Sequence, residues 1–222
     1  MRSLLLTLLL LGVLSGCSGT VPFGSAAPDM QAPLDPAALV SRFQARVPER
    51  FHLLSSIVFE YNWFTVSGIG YLELNTHDGS YKVACMNHLG VKLFEFSGDR
   101  SGLQSQYAIE PLAKQGNIAV VVSEDVKRIY LDLAPAPDAR AIVRKHSVLF
   151  RQRAGEGALE YEFSRESMRL ARKTYREDHR AVWRVSYDEY REKDGKSYPL
   201  VVVFTNYRYG YRLIVRQKEI LG

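Results

Sequence analysis

The sequence predicts a mainly β protein (α+β), with a strongly curved antiparallel sheet or unclosed β-barrel of about ten strands and two short helices capping the concave side. Three observations carry that expectation. Short runs with apolar side chains at every second position recur along most of the chain, the period of a half-buried strand. Tight-turn sequences such as Asp78-Gly79, Asn87-His88-Leu89-Gly90 and Asp194-Gly195 separate those runs, as in an antiparallel meander. The chain also holds 13 Tyr and 10 Phe, residues that pack well on a pleated surface.

The elements follow in order. Leu34-Asp35-Pro36 opens a short helix, with Asp35 as N-cap and Pro36 in the first helical position. Leu39, Val40 and Phe43 form its apolar stripe, and Pro48 lies just beyond its end. The period then changes from helix to strand. In Ser56 to Trp63, Ile57, Phe59, Tyr61 and Trp63 share one face. Thr65 to Leu74 is a second strand, and Gly68 and Gly70 mark a sharp bend or a close approach to its backbone. Tyr81 to Met86, Val91 to Phe96 and Leu103 to Ile109 complete the first half.

The middle reads differently. Val122, Val126, Ile129, Tyr130 and Leu133 are spaced for a helix from about Ser123 to Leu133, with Ser123 as N-cap and Pro135 and Pro137 as its stop. His146 to Arg151 returns the chain to sheet, and Leu159, Tyr161 and Phe163 then alternate against Glu160 and Glu162. The charge density of Ser167 to Arg180 suits a solvated helix as well as a strand, and we read a strand from Met168 to Tyr175. Trp183, Val185 and Tyr187 face inward on the next strand. A turn toward Pro199 precedes a last hairpin, Leu200 to Thr205 and Tyr209 to Gln217.

Composition narrows the function classes. The 222 residues and 46% hydrophobic content suit one globular domain. A formal charge of +5 is modestly basic, which favours anionic lipid or lipopolysaccharide surfaces. The basic residues are dispersed and form no nucleic-acid motif, so nucleic acid is not expected as a partner. His52, His77, His88, His146 and His179 show no metal-ligand spacing. Neither a nucleophile motif nor a phosphate loop is present, since Gly68 and Gly70 lie inside a strand. We therefore expect a binding protein, with no catalytic residue, metal or cofactor.

The first residues address the chain. Arg2 precedes an apolar run from Leu4 to Leu14, followed by Ser15, Gly16 and Cys17. That run is shorter than the roughly 20 residues that span a bilayer and has the layout of a signal peptide. Leu14-Ser15-Gly16-Cys17 resembles the bacterial lipobox. The resemblance implies cleavage before Cys17, covalent lipid on that residue, and, with Ser18 following, retention in the outer membrane. The expected organisation is a lipoprotein signal peptide at 1–16, a lipidated flexible tether at 17–34 rich in Pro, Gly, Ser and Ala, and a single barrel domain at 35–222. With Cys17 acylated, Cys85 has no disulfide partner and reads as a small buried residue in a strand.

Tyr81-Lys82, Asn87-His88-Leu89-Gly90 and Leu93-Phe94-Glu95-Phe96 together resemble a hairpin of the outer-membrane lipoprotein receptor family LolB, within the LolA–LolB superfamily. Met168-Arg169-Leu170, Thr174-Tyr175, the strand with Trp183, and Tyr211-Arg212-Leu213 extend the likeness over Phe51 to Gln217. The chain departs from that pattern at His88, where the family commonly has Pro, and in its longer charged segment from Arg151 to Arg180. The resemblance implies an unclosed barrel around an apolar cavity for acyl chains of palmitate length. Candidate lining residues are Phe59, Tyr61, Trp63, Leu72, Phe94, Phe96, Trp183, Tyr187 and Leu213. It also implies that Leu89, on the turn, dips into the membrane during transfer. The expected protein is a monomer on the outer membrane, facing the periplasm. It would accept an acylated ligand (lipoprotein or lipid), receive it from a periplasmic carrier protein, and contact outer membrane lipid. Two alternatives stand beside this: a carrier of a glycolipid or polyene lipid on the same scaffold, and an envelope scaffold lipoprotein that binds no ligand.

Overall fold

A computed structural model describes residues 34–114 and 117–221. The expected signal peptide, the acylated Cys17 and nearly all of the tether fall outside these residues. Within them, twelve strands form one antiparallel sheet. The strands are β1 (Arg50–Tyr61), β2 (Phe64–Asn75), β3 (Tyr81–Met86), β4 (Lys92–Gly98), β5 (Leu103–Ala108), β6 (Arg140–Val143), β7 (Ser147–Ala154), β8 (Gly157–Ser164), β9 (Leu170–Glu177), β10 (Arg180–Lys193), β11 (Lys196–Asn206) and β12 (Tyr211–Ile220). Three helices accompany them: α1 (Pro36–Arg46), α2 (Glu110–Ala113) and α3 (Ile118–Tyr130).

The spatial order is β5-β4-β3-β2-β1-β12-β11-β10-β9-β8-β7-β6. Two meanders, β1–β5 and β6–β12, therefore meet at β1 and β12, and β5 and β6 are the edges of a sheet that does not close. The segment between those edges carries α2 and α3. The curved, mainly β architecture is the one expected, with twelve strands rather than about ten.

Local chemistry explains each part. Asp35 caps α1 by accepting a 2.9 Å hydrogen bond from the Ala37 amide, and Pro36 fills a position where no amide hydrogen is needed. Leu39 and Phe43 are the buried face of α1. In β1, Phe51 and Leu53 lie opposite Leu74 and Leu72 of β2, so the period-2 pattern puts four apolar side chains on one inner face. Gly70 lies opposite Ser55, and a Cβ there would stand 2.1 Å from Ile57 Cδ1. The missing side chain is thus the space that Ile57 fills. At the β9–β10 turn Asp178 and His179 both have positive φ, 45° and 65°, the backbone that a two-residue hairpin requires. The ambiguous stretch 167–180 is mostly strand, because β9 pairs with β8 on one side and β10 on the other.

Other readings of the middle change. α3 begins at Ile118 with Asn117 before it, five residues ahead of the expected Ser123 cap, and Ser123 is buried inside the helix. α2 and β6 are short elements that the sequence did not announce. Pro199 does not end a turn: it lies within β11, opposite Tyr190 of β10. β11 pairs with β12 only from Val201 onward, so the proline occupies a stretch with a neighbour on one side alone.

One core joins both meanders. Phe51, Leu74 and Phe96 from the first half share it with Tyr161, Phe163, Val185 and Phe204 from the second. α3 supplies Val126, Ile129 and Tyr130 to the same cluster, packing on β4, β5 and β11. Cys85 is buried and has no disulfide partner among the described residues, and burial pushes its thiol up to about 11, which leaves it an inert apolar group at neutral pH.

Candidate functional site

The concave side of the sheet is an apolar interior roofed by α3. The amphipathic spacing of Val122, Val126 and Ile129 turns that helix inward, and three polar side chains of the sheet hold it there. Tyr187 on β10 donates to the Ile129 carbonyl at 2.7 Å. Lys173 on β9 donates to the Leu131 carbonyl at 2.7 Å. Both satisfy carbonyls that the end of a helix leaves open, and the lysine charge also suits that end of the helix dipole. Nearer the middle of α3, Asp125 accepts from Tyr211 of β12 at 2.5 Å and from Arg128 at 3.0 Å. Around these contacts the lining is aromatic. Phe51 meets Tyr130 at 5.4 Å, Phe94 stacks on Phe96 at 4.8 Å, and Phe204 meets Tyr211 at 5.9 Å.

Burial shifts the titration of the polar members. Desolvation pulls Lys173 down to about 8, partly offset by the charge of Asp132. Desolvation pushes Asp125 up to about 6, against the opposing pull of its Tyr211 hydrogen bond and of Arg128. Folding therefore raises the Asp125 pKa from an ordinary 3.8, so the folded chain keeps a proton there that the unfolded chain has lost. The resulting stability is fully present below about pH 4 and is lost as pH rises through about 6. Its full size is about 3 kcal/mol. Asp125→Asn, which can still accept from Tyr211, should flatten this dependence and match or exceed the wild type in urea unfolding at pH 8. A clear loss of stability at pH 8 would show that the carboxylate charge itself holds α3.

The structure distributes the expected lining residues unevenly. Leu72, Phe96, Trp183 and Tyr187 are buried in the interior, and Phe59, Phe94 and Leu213 are half-buried against the same core. Two do not line it in the manner expected. Trp63 is 94% exposed, because β1 ends at Tyr61 and Trp63 falls in the turn before β2. Tyr61, the last residue of β1, is 46% exposed. A cavity of about 10 Å³ lies between Phe43, Phe51, Ile129, Tyr130 and Tyr187, no more than roughly one water's worth of space. Asp125 and Lys173 are site residues that sequence reasoning missed. Each carried a signal, since Lys173 shares the inward parity of Tyr175 and Asp125 lies on the apolar side of its helix.

A second feature sits at one end of the sheet. Antiparallel order places the β1–β2, β3–β4 and β11–β12 turns at the same end of strands that are neighbours. Tyr61 pairs with Phe64 and with Tyr211, so the Trp63 turn and the Tyr207–Gly210 turn are level. The β3–β4 turn is set back along the sheet, with His88 Nε2 3.0 Å from Ser67 Oγ. These turns expose Trp63, Phe64, Leu89, Val91, Tyr207 and Tyr209, with Leu89 at 89%. The Leu89 turn is rigid, since the Asn87 side chain accepts from the amides of Leu89 and Val91. Grouped exposed apolar side chains of this kind mark surfaces that meet a partner or a bilayer.

The fold has solved counterparts. A LolA superfamily protein from Nitrosomonas europaea superposes with a TM-score of 0.54 at 8% identity, over 84% of this chain and 93% of that one. A DUF1329 family protein from Desulfovibrio piger gives a TM-score of 0.56 at 9% identity, over 82% of this chain and 89% of that one. The likeness is one of fold, and the fold is that of the LolA superfamily. No curated protein matches the chain in sequence. The profile of a family described as "Protein of unknown function (DUF3261)" matches residues 59–219, from within β1 almost to the end of β12.

Proposed function

The chain belongs to the DUF3261 family, and from that footing we propose that it is an outer-membrane lipoprotein, anchored through Cys17 and facing the periplasm, that takes acyl chains into the space beneath α3. In this reading it accepts a lipidated protein or a lipid from a periplasmic carrier and passes it to the outer membrane as a monomer. The observation that carries the reading is the aromatic interior beneath α3, next to an exposed aromatic rim. Bringing a ~16-carbon acyl chain into water costs roughly 12 kcal/mol, at about 0.8 per methylene, so a carrier must offer it an apolar lining. The interior supplies that lining once α3 moves, and three polar contacts are the specific hold on α3. The rim, with Leu89 and Trp63 at its turns, would face the bilayer during transfer. A glycolipid or polyene lipid would satisfy the same lining. The filled interior favours a second reading, a scaffold lipoprotein that binds no ligand.

The two readings separate in one measurement. Titration with a fluorescent 16-carbon acyl probe should show saturable binding that palmitate displaces. Native mass spectrometry should then find one acyl ligand per chain. Absence of saturable binding by the folded protein would leave the scaffold reading.

A further inference from the structure

The outer face of the same sheet carries a second site. Leu149, Arg151, Glu160 and Glu162 alternate along β7 and β8 with the core residues Phe150, Tyr161 and Phe163, so their side chains lie on the side away from α3. Five arginines gather there, Arg144, Arg151, Arg172, Arg176 and Arg184, around a depression of about 260 Å³ that also takes in His179. The carboxylates facing them in this depression are Glu160 and Glu162. Glu160 is buried and accepts from Arg151 at 2.9 Å and Arg176 at 2.8 Å. Burial alone would raise its pKa, but the two guanidinium groups outweigh that and hold it lowered. Glu162 accepts from Arg172 at 2.7 Å and stands 3.9 Å from Arg144.

A ladder that only paired neighbouring strands would leave little net charge. Here five guanidinium groups face two carboxylates, a surplus of three positive charges. The carboxylates also leave donors free. Arg151 spends Nε and Nη2 on Glu160, and Arg172 spends Nη1 on Glu162, out of five N–H donors each. Arg184 goes further. Its Nε is buried with no hydrogen-bond partner among the described residues, and its guanidinium lies 5.8 Å from the Tyr207 ring, which positions it beside the depression without neutralising it.

We infer that this depression binds a multiply charged phosphate group. A surplus of three charges calls for a polyvalent anion rather than a single carboxylate, and planar guanidinium forks match phosphate oxygens two at a time. The glutamates hold the forks in place before the anion arrives. The phosphate belongs either to a soluble molecule or to a lipid headgroup, and the inference stands whether or not the interior opens.

The test is calorimetry of the full chain with inorganic pyrophosphate at 150 mM salt, where loose surface attraction is screened. One saturable site is expected. The Arg144→Gln/Arg184→Gln double variant should bind about 10- to 100-fold more weakly, the scale of losing charged hydrogen bonds. Glu160 is paired by Arg151 and Arg176 and not by either of these two arginines, so the fold should persist, checked by an unchanged unfolding midpoint. Arg184→Lys, which keeps charge but not the fork, should fall between the two. Lys114→Gln, an exposed change just after α2, should bind as the wild type does. Vesicles containing phosphatidic acid provide the second arm. Recruitment that depends on the same arginines identifies a headgroup, and pyrophosphate binding without recruitment identifies a soluble phosphate. No saturable binding by the wild type, or equal binding by the double variant, would overturn the inference.

Discussion

Trp63→Glu combined with Leu89→Glu is expected to reduce partition of the protein onto vesicles by two to four orders of magnitude. Burying each such apolar side chain is worth about 1.5–3 kcal/mol, so about 3–6 kcal/mol is at stake for the pair. The measurement belongs in a chain expressed from Ser18 onward, so that neither the expected signal peptide nor an acyl chain contributes to binding. Both residues are almost fully exposed, at 94% and 89%, so the charges meet no packed neighbour and folding should be untouched. Trp63 adds what a leucine cannot, an amphipathic ring suited to the headgroup level. Vesicles of phosphatidylethanolamine and phosphatidylglycerol, read by flotation, give the comparison. Equal flotation of variant and parent would return both residues to ordinary surface.

Phe204→Ala should cost about 3–5 kcal/mol, as expected for truncating a buried phenylalanine. For a chain of this size that lowers the melting temperature by roughly 6–20 °C. Phe204 is fully buried and touches the rings of Trp183 at 6.4 Å and Tyr211 at 5.9 Å. It therefore couples the β10–β12 region to the residue that holds Asp125. An acyl ligand present at a hundred times its Kd should restore about 2.7 kcal/mol. Thermal scans with and without palmitate read both effects. Loss of stability with no recovery would mean that the interior is core and nothing else.

Much of this architecture was legible because strands announce themselves by period. β3 was read at its true bounds, Tyr81–Met86, since turn sequences flank it closely. β6 was not read, because its four residues sit on a sheet edge with no alternation of buried and exposed side chains. The start of α3 was hidden by Val120-Val121-Val122, a β-branched run in which the inward and outward sides look alike. Alternation also told which side chains point inward, and it placed Phe96 and Trp183 correctly. It could not tell whether the inside is hollow, which depends on where α3 settles. The arginine cluster was illegible for a related reason, since its arginines come from three strands and the loop before β7. Register, not sequence distance, brings them together.

The seam between β1 and β12 has a kinetic consequence. Every other pair of neighbouring strands in the sheet is consecutive in the chain, so each meander can zip up by local hairpin closure. Tyr61 and Tyr211, by contrast, pair across 150 positions, and closing so long a loop costs about 4 kcal/mol of chain entropy before any contact offsets it. Joining the halves should thus be the slow event of folding, as non-local pairing generally is. Until it happens, β1 carries a bare hydrogen-bonding edge, and so does β12. Two copies caught at that stage can satisfy each other's edges with the hydrogen bonds meant for one chain. The long 109–139 connection would span the exchange. Domain-swapped dimers formed during concentrated refolding are the misassembly to which this topology is exposed.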